Sequence, residues 1–219
     1  KGAIKVSRAV TVKSASAGQR TLDADKRNRI FEVATGGNLT LEKIKLIKGK
    51  AATGAAGGII YVNGGTAVLI GCTLQDGSAK DGDGGGIALS SSGGACTLED
   101  CTIKSCKTEG LGAHGGAVAV LGASPTTTFT MRGSTKIDIS SNPNENDVYL
   151  VKNALITLHS PFAPTVTTAA RITPKDYEED LLVLTGSNLS TNYTKFAVTS
   201  QTSPSQAWKV SPFGTLQKN

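Results

Sequence analysis

The chain has 219 residues, of which 26 are glycine and only ten are aromatic, and 18% are charged. Glycine exceeds its usual share of about 7%, and the charged fraction is below the usual share of about 25%. No stretch approaches the roughly 20 apolar residues of a membrane-spanning helix, and the clustered glycines exclude collagen. Because helix formers are sparse and Val, Ile and Thr are plentiful, the composition favours an all-β fold.

The net charge of +6 is concentrated at the start of the chain. Residues 1–50 contain 12 Lys and Arg against four Asp and Glu, whereas residues 51–160 contain six against nine. A basic segment attracts anionic partners such as nucleic acid, lipid head groups or acidic polysaccharide. Base stacking is not expected, since Phe31 is the one aromatic residue there, and we predict no nucleic-acid partner. An ordinary solvated face is the alternative interpretation.

The first thirty residues predict a partial first layer of β-structure. Ile4, Val6, Val10 and Val12 lie at alternating positions of two short segments. A period of two is typical of a strand with one buried face. We therefore expect this segment to begin the main body of the fold.

An internal repeat organises the middle of the chain. A glycine pair followed by apolar residues begins at Gly57, Gly84 and Gly115. A second motif follows each pair, and its equivalent positions recur at a nearly constant interval, as in Leu41, Leu69 and Leu98. Within each copy the apolar residues alternate, which indicates strands, and no copy has the apolar spacing of a helix.

Stacking of these repeats predicts a parallel β-helix. A unit of about 28 residues cannot bury its own apolar face, whereas stacked units share one core with strands about 4.8 Å apart. We expect four to six layers, and a β-sandwich is the alternative that fits a constant register less well. Equivalent residues should form three ladders, which are Leu41, Leu69, Leu98 and Met131; Ile44, Cys72, Cys101 and Ser134; and Phe31, Ile60, Ile87 and Val118.

The last quarter of the chain differs from the rest. Prolines interrupt short segments there, and aromatic residues such as Tyr177 and Trp208 concentrate there. Over 1–160 we predict a parallel β-helix with repeats of about 28–30 residues. Over 161–219 we predict final imperfect layers and an irregular, aromatic-rich cap. A linker to a further domain is the alternative interpretation of this tail.

The four cysteines suggest a core role. Cys72 and Cys101 fall one layer apart, and Cys96 and Cys106 flank Cys101 at equal distances on either side. Stacked side chains would hold their Cβ atoms about 4.8 Å apart, which is longer than the roughly 3.8 Å that a disulfide prefers. The spacing does not match paired zinc ligands. We expect free thiols in a core ladder, with a disulfide as the alternative.

Other chemistry-bearing residues give weaker signals. Asp76, Asp81 and Asp83 lie on a turn with alternating glycine and could supply oxygen ligands to Ca²⁺, but the EF-hand pattern is absent. We expect a solvated loop and no cofactor, with a Ca²⁺ site as the alternative. Glu99, Asp100 and Asp138 are the candidate catalytic carboxylates, beside Lys104. Adjacent strand residues point to opposite sides, so a catalytic cluster is not expected. His114 and His159 are distant in the sequence, and each is expected at the surface.

Several segments resemble a known group of proteins. The chain is similar to right-handed parallel β-helix repeat proteins of bacterial cell surfaces, including autotransporter passengers, polymorphic outer-membrane proteins and, most closely, the repeat surface proteins of spirochaetes. The segments that carry this resemblance are Leu22-Asp23-Ala24, Gly36-Gly37-Asn38-Leu39-Thr40-Leu41, Gly57-Gly58-Ile59-Ile60-Tyr61-Val62, Asn146-Asp147-Val148-Tyr149-Leu150, Ala170-Arg171-Ile172-Thr173-Pro174 and Tyr193-Thr194-Lys195-Phe196-Ala197-Val198. The resemblance implies a right-handed solenoid, an extracellular or outer-membrane-associated location, and adhesion.

These observations predict a non-enzymatic surface module that binds a ligand. Lys43, Lys45, Lys48 and Lys50 are mostly outward in the basic layers, so they are the candidate contact for an acidic glycan or a host extracellular-matrix protein. We expect a monomer. A polysaccharide lyase or hydrolase and a passive structural scaffold are the alternative functions.

Overall fold

The computed structural model describes residues 2–140, 142, 145–202 and 205–219. Nearly all of the regular structure is β, and stacked parallel sheets form a β-solenoid of about seven turns, which confirms the predicted parallel β-helix. The helical elements of the described residues are one α-helix, Leu189–Asn192, and one 3-10 helix, Tyr193–Lys195. The expected four to six layers is too low, since parallel pairing extends from Ile4–Val6 in the predicted partial first layer to Phe196–Val198 in the predicted final layers.

The first sheet is the longest and contains ten strands. Eight of them pair in parallel, in the order Ile4–Val6, Phe31–Ala34, Ile60–Asn63, Ile87–Leu89, Val118–Val120, Val148–Leu150, Ala170–Pro174 and Phe196–Val198. The last two, Trp208–Val210 and Leu216–Lys218, are antiparallel and close the end of the sheet. Each turn therefore adds one strand until the antiparallel pair ends the parallel stack.

Two further parallel sheets complete the solenoid wall. The second sheet consists of Ala9–Lys13, Asn38–Glu42, Thr66–Ile70, Gly94–Glu99, Thr127–Gly133, Ile156–Phe162 and Leu184–Gly186. The third sheet consists of Arg20–Asp23, Ile44–Ile47, Thr73–Gln75, Thr102–Lys104 and Lys136–Ile137. The three sheets meet around a single core.

Beyond the third sheet, the middle turns carry a short additional sheet. Ser78–Lys80 and Lys107–Glu109 pair in parallel, and Lys50 bridges to Ser78 from the preceding turn. We call this the corner sheet. A separate hairpin pairs Gln201–Thr202 with Ser205–Gln206 near the end of the chain.

The predicted ladders form the core of the solenoid. Leu41, Leu69, Leu98 and Met131 pair in register, and Phe31, Ile60, Ile87 and Val118 do the same. The leucines of the first ladder have no solvent exposure. Alternating residues of each strand therefore face one continuous apolar interior, as the sequence period indicates.

The third predicted ladder is wrong at its last member. Lys136 pairs with Thr102, so Thr135 and not Ser134 occupies the position above Cys101. Thr135 is fully buried and Ser134 is exposed. The corner of this turn contains one more residue than the preceding corner, and the extra residue shifts the register by one.

The glycine pairs turn the chain into the first sheet. Gly57, Gly84 and Gly115 have φ between 71° and 74°, a left-handed conformation that glycine adopts without steric cost. The glycine that follows Gly57 and the one that follows Gly84 both approach the next turn closely. A Cβ on Gly58 would lie 2.1 Å from the Gly85 carbonyl oxygen, and one on Gly85 would lie 2.2 Å from the Lys107 carbonyl oxygen. The repeat spacing of the glycines thus reflects both a backbone conformation and a close approach between turns.

The two ends of the solenoid differ. At the first turn, Ile4 is 55% exposed and borders an apolar cavity of about 400 Å³ that also contacts Leu22 and Ile30. At the last turn, Trp208 is buried and its ring centroid lies 5.8 Å from that of Tyr177. Tyr177 and Trp208 therefore pack against each other at this end, whereas Phe213 is exposed.

Candidate ligand-binding groove

A groove forms where the third sheet meets the corner sheet. Lys48, Asp76 and Ser105 occupy equivalent positions in three successive turns and have φ of 54°, 56° and 53°. This left-handed conformation turns the chain sharply after each strand of the third sheet, and hydrogen bonds between turns hold the corner. The Lys48 N–H donates to the Gln75 carbonyl at 3.0 Å, and the Asp76 N–H donates to the Lys104 carbonyl at 3.3 Å.

The groove has a volume of about 470 Å³ and crosses four turns of the solenoid. Every lining residue other than glycine carries a charged group or a hydroxyl group, and the lysines also contribute their methylene groups. The lining residues are Lys26 from the first turn, Lys48 and Lys50 from the second, Asp76, Gly77 and Ser78 from the third, and Ser105, Lys107 and Glu109 from the fourth. Four ammonium groups therefore face two carboxylates, which gives the groove a net positive charge.

Two of the four lysines are paired with nearby carboxylates. Lys48 Nζ lies 2.9 Å from Asp23 Oδ2, and Lys107 Nζ lies 2.7 Å from Glu109 Oε1. The hydrogen bond to Asp23 raises the pKa of Lys48, and the hydrogen bond to Glu109 raises the pKa of Lys107. The same contacts lower the pKa of both carboxyl groups. These exposed pairs stay charged across the neutral range.

The other two lysines are available to a ligand. Lys26 and Lys50 form no ion pair or side-chain hydrogen bond with any residue that the structure describes. Lys50 is exposed, and it lies beside Ser78 in the corner sheet. An incoming anion can reach these two ammonium groups without breaking an ion pair between described residues.

The lysines singled out from the sequence separate into two sets. Lys48 and Lys50 line the groove, whereas Lys43 and Lys45 lie outside its lining. Lys43 occupies the left-handed corner between the second and third sheets, and Lys45 pairs with Thr73 in the third sheet. The four predicted lysines therefore do not form one face. Lys43 lies at a corner, Lys45 lies in the third sheet, and the other two line the groove.

Two groove lysines, Lys26 and Lys107, were not predicted from the sequence. Lys50, Ser78 and Lys107 recur along the chain at the same two intervals as the core ladder that contains Leu69. Extending the ladder register to outward positions would have placed Lys107 beside the predicted site. Lys26 lies in a turn with left-handed φ of 56°, and no repeat signal in the sequence marks it.

The acidic loop does not form a compact cluster. Asp76 lines the groove, Asp81 follows the corner sheet, and the Asp83 carboxylate accepts the His114 N–H at 2.8 Å. Within the described ranges, no group of three or more His, Cys, Asp or Glu residues has an arrangement that could hold a metal ion. These aspartates contact the protein's own groups.

All four cysteines are buried free thiols. Cys72 and Cys101 lie in successive turns, and the Cys101 thiol donates to the Leu69 carbonyl at 3.3 Å. Burial raises the pKa of Cys96 and of Cys106 to about 12, and burial also raises the pKa of Cys101. These three thiols are therefore protonated core groups, and none of them lines the groove.

The candidate catalytic carboxylates lie at separate positions. Glu99 is in the second sheet, 3.6 Å from Arg132, and Asp138 follows the third sheet, 2.9 Å from Lys136. Asp100 lies at the corner between these sheets and accepts the Ser134 N–H at 2.8 Å. Glu99 and Asp138 are thus each in an ion pair, and Asp100 accepts a hydrogen bond, so the three carboxylates do not form one cluster.

The two histidines lie beside different sheets, His114 beside the first sheet and His159 in the second. The His114 ring stacks on Tyr149 with centroids 4.5 Å apart. His159 pairs in register with Arg132 on the second sheet and is exposed. Neither lines the groove.

Comparison with protein-family models, curated proteins and solved structures found no match to this chain. Across the described residues, no helix has the length and apolar character needed to cross a membrane. The groove is therefore interpreted from its own chemistry.

Proposed function

We propose that the protein is a non-enzymatic binding module of a bacterial surface, and that the groove holds an acidic partner. The observation that carries this proposal is the placement of Lys26, Lys48, Lys50 and Lys107 in one groove, where they come from three of its four turns and two of them form no ion pair with any described residue. The partner classes that fit are an acidic glycan and an acidic region of a host extracellular-matrix protein.

Electrostatics supports this proposal. Positive groups in a concave site focus the local field and raise the rate at which an anion arrives. Glu109 lies near enough to Lys50 for an electrostatic interaction, but neither Lys26 nor Lys50 forms a contact ion pair with a described residue. A ligand therefore gains charge-assisted hydrogen bonds there without breaking an ion pair between described residues. The resemblance to bacterial surface repeat proteins, with the solenoid fold, supports an extracellular or cell-surface location and a role in adhesion.

A matched pair of charge-reversal variants tests the site. Lys26→Glu with Lys50→Glu changes the groove, and Lys43→Glu with Lys45→Glu makes the same change in net charge outside it. We expect the groove variant to lose at least about tenfold in affinity for immobilised heparin or for a responsive matrix protein, and the outside variant to lose far less. Biolayer interferometry at several salt concentrations measures both.

The outcomes separate the candidate functions. Binding that is insensitive to salt, or an equal loss in both variants, would rule out the groove as the site. Absence of binding to the whole glycan and matrix panel would favour a passive scaffold. Release of new reducing ends or unsaturated sugars during incubation with acidic polysaccharides would indicate cleavage and contradict the non-enzymatic proposal.

A further inference from the structure

The groove is elongated along the axis of the solenoid. Lys26, Lys50, Ser78 and Lys107 come from four consecutive turns. Since neighbouring strands are spaced about 4.8 Å apart, the three intervals between these turns span about 14 Å. A compact anion such as sulfate can contact one or two turns, whereas a ligand that contacts all four must be extended.

The lining lacks the groups that usually anchor peptides or nucleic acids. No aliphatic or aromatic side chain is among the described lining residues. Peptide recognition relies on apolar or aromatic anchors in pockets, and single-stranded nucleic acids stack their bases on aromatic rings. Apart from the methylene groups of its lysines, the groove offers charges, hydroxyl groups and backbone, and these favour a ligand with polar groups along its whole length.

The two carboxylates of the groove indicate that the ligand is not purely anionic. Glu109 is paired with Lys107, and Asp76 Oδ2 accepts a hydrogen bond from the Gln75 amide at 3.0 Å. A carboxylate has acceptor capacity for about four hydrogen bonds, so Asp76 can accept more. The Asp76 carboxylate repels an anionic group of the ligand, but it can accept a hydrogen bond from a hydroxyl group of the ligand. A ligand with both anionic groups and hydroxyl groups satisfies the whole lining.

We infer that the ligand is a linear acidic polysaccharide that lies parallel to the solenoid axis. Its anionic groups contact Lys26 and Lys50 in the first two turns, and a sugar hydroxyl donates to Asp76 in the third. This inference rests on the proposed anion-binding function and adds the ligand class and its orientation. A lysine ammonium is a compact point charge with three rotatable donors, and it suits isolated carboxylate or sulfate oxygens along such a chain.

A length series tests the orientation. The probes are heparin oligosaccharides from the disaccharide upward, measured by isothermal titration calorimetry against the full chain. We expect affinity to increase with length and to level off once an oligosaccharide exceeds the groove length of about 14 Å. Lys26→Gln should lower the affinity of long oligosaccharides by about fivefold or more. Lys43→Gln, outside the groove, should leave it unchanged.

The opposite end of the groove supplies a second test of orientation. Lys107→Gln combined with Glu109→Gln removes an ion pair and leaves the net charge unchanged. Long oligosaccharides should lose affinity through this pair of changes and also through Lys26→Gln, whereas the disaccharide should respond to at most one of the two. Equal responses of the disaccharide and the long oligosaccharides to both variants would overturn the axial orientation.

Asp76→Asn distinguishes a polysaccharide from an acidic peptide. The substitution makes the groove more positive, so affinity for polyglutamate should increase by about threefold or more. Affinity for heparin oligosaccharides should decrease or stay constant, because the neutral amide accepts a weaker hydrogen bond from a sugar hydroxyl than the Asp76 carboxylate does. An equal gain for both probes would refute the polysaccharide assignment. If Lys26→Gln changes the affinity for neither probe, the groove is not the anion-binding site. That outcome contradicts the proposed function and is distinct from a failure of the polysaccharide assignment.

Discussion

At the scale of single residues, Gly58 and Gly85, the second glycines of the first two glycine pairs, have no space for a side chain. A Cβ at Gly85 would lie 2.2 Å from the Lys107 carbonyl oxygen and 2.5 Å from that of Gly116. Both neighbours are backbone atoms of other segments, so neither can move without disturbing a turn. Gly18, by contrast, has no atom within 4 Å of its Cβ position.

Gly85→Ala is therefore expected to destabilise the protein by at least about 2 kcal/mol, because overpacking forces the backbone of adjacent turns apart. Gly18→Ala should change the free energy of unfolding by less than about 0.5 kcal/mol. Urea unfolding followed by circular dichroism measures both variants. Equal stability of the two would mean that the turns can separate at little cost.

At the scale of strands, alternation assigns neighbouring residues to different environments. On the second sheet, the outward column Thr11, Thr40, Val68, Thr97, Thr130, Thr157 and Thr185 runs through all seven strands. The adjacent Leu69 faces the core and has no solvent exposure. The valine is the single exception to threonine in this column.

Val68→Thr should be nearly neutral, within about 0.5 kcal/mol, because it extends the half-exposed threonine column. Leu69→Thr should cost about 3 kcal/mol, since it removes buried methyl groups and buries a hydroxyl. Thermal unfolding of the two variants checks this contrast. A comparable loss in both would show that the outer face is packed as tightly as the core.

The sequence predicts strands and inward ladders well because their signal is periodic. Leu69 and Ile87 are recognisable from their regular recurrence along the chain, and the structure confirms both positions in register. The register fails at Ser134, where a corner gains one residue. The groove was half predicted, since Lys48 and Lys50 were named. The other two groove lysines, Lys26 and Lys107, depend on how the chain turns after the third sheet, and local residue patterns do not encode that geometry.

At the scale of the whole molecule, each described strand of the solenoid pairs only with strands of neighbouring turns, so stability is expected to be local. Trp208 is 5% exposed and covers the last turn, whereas Phe213 in the same terminal segment is 80% exposed. In such one-dimensional assemblies, damage to one end weakens the adjacent turn most.

Trp208→Ala should therefore accelerate amide hydrogen exchange in Phe196–Val198 and leave Ile60–Asn63 protected, because several intact turns separate the two strands. Phe213→Ala, the matched aromatic control, should alter neither. Hydrogen exchange read by mass spectrometry resolves the two segments. A uniform acceleration along the chain would indicate that the solenoid opens as a single cooperative unit.

The parallel stacking also determines how the protein responds to mechanical load. The first and last strands of the first sheet lie at opposite ends of the stack, and the hydrogen bonds between turns are directed along it. A force that pulls the two termini apart loads the stacked interfaces in series, and because strands pair only between neighbouring turns, one turn can detach while the rest stay paired. A detached turn of about 28 residues can extend to about 90–100 Å. A chain anchored at one terminus can therefore lengthen stepwise under tension while its remaining turns stay folded.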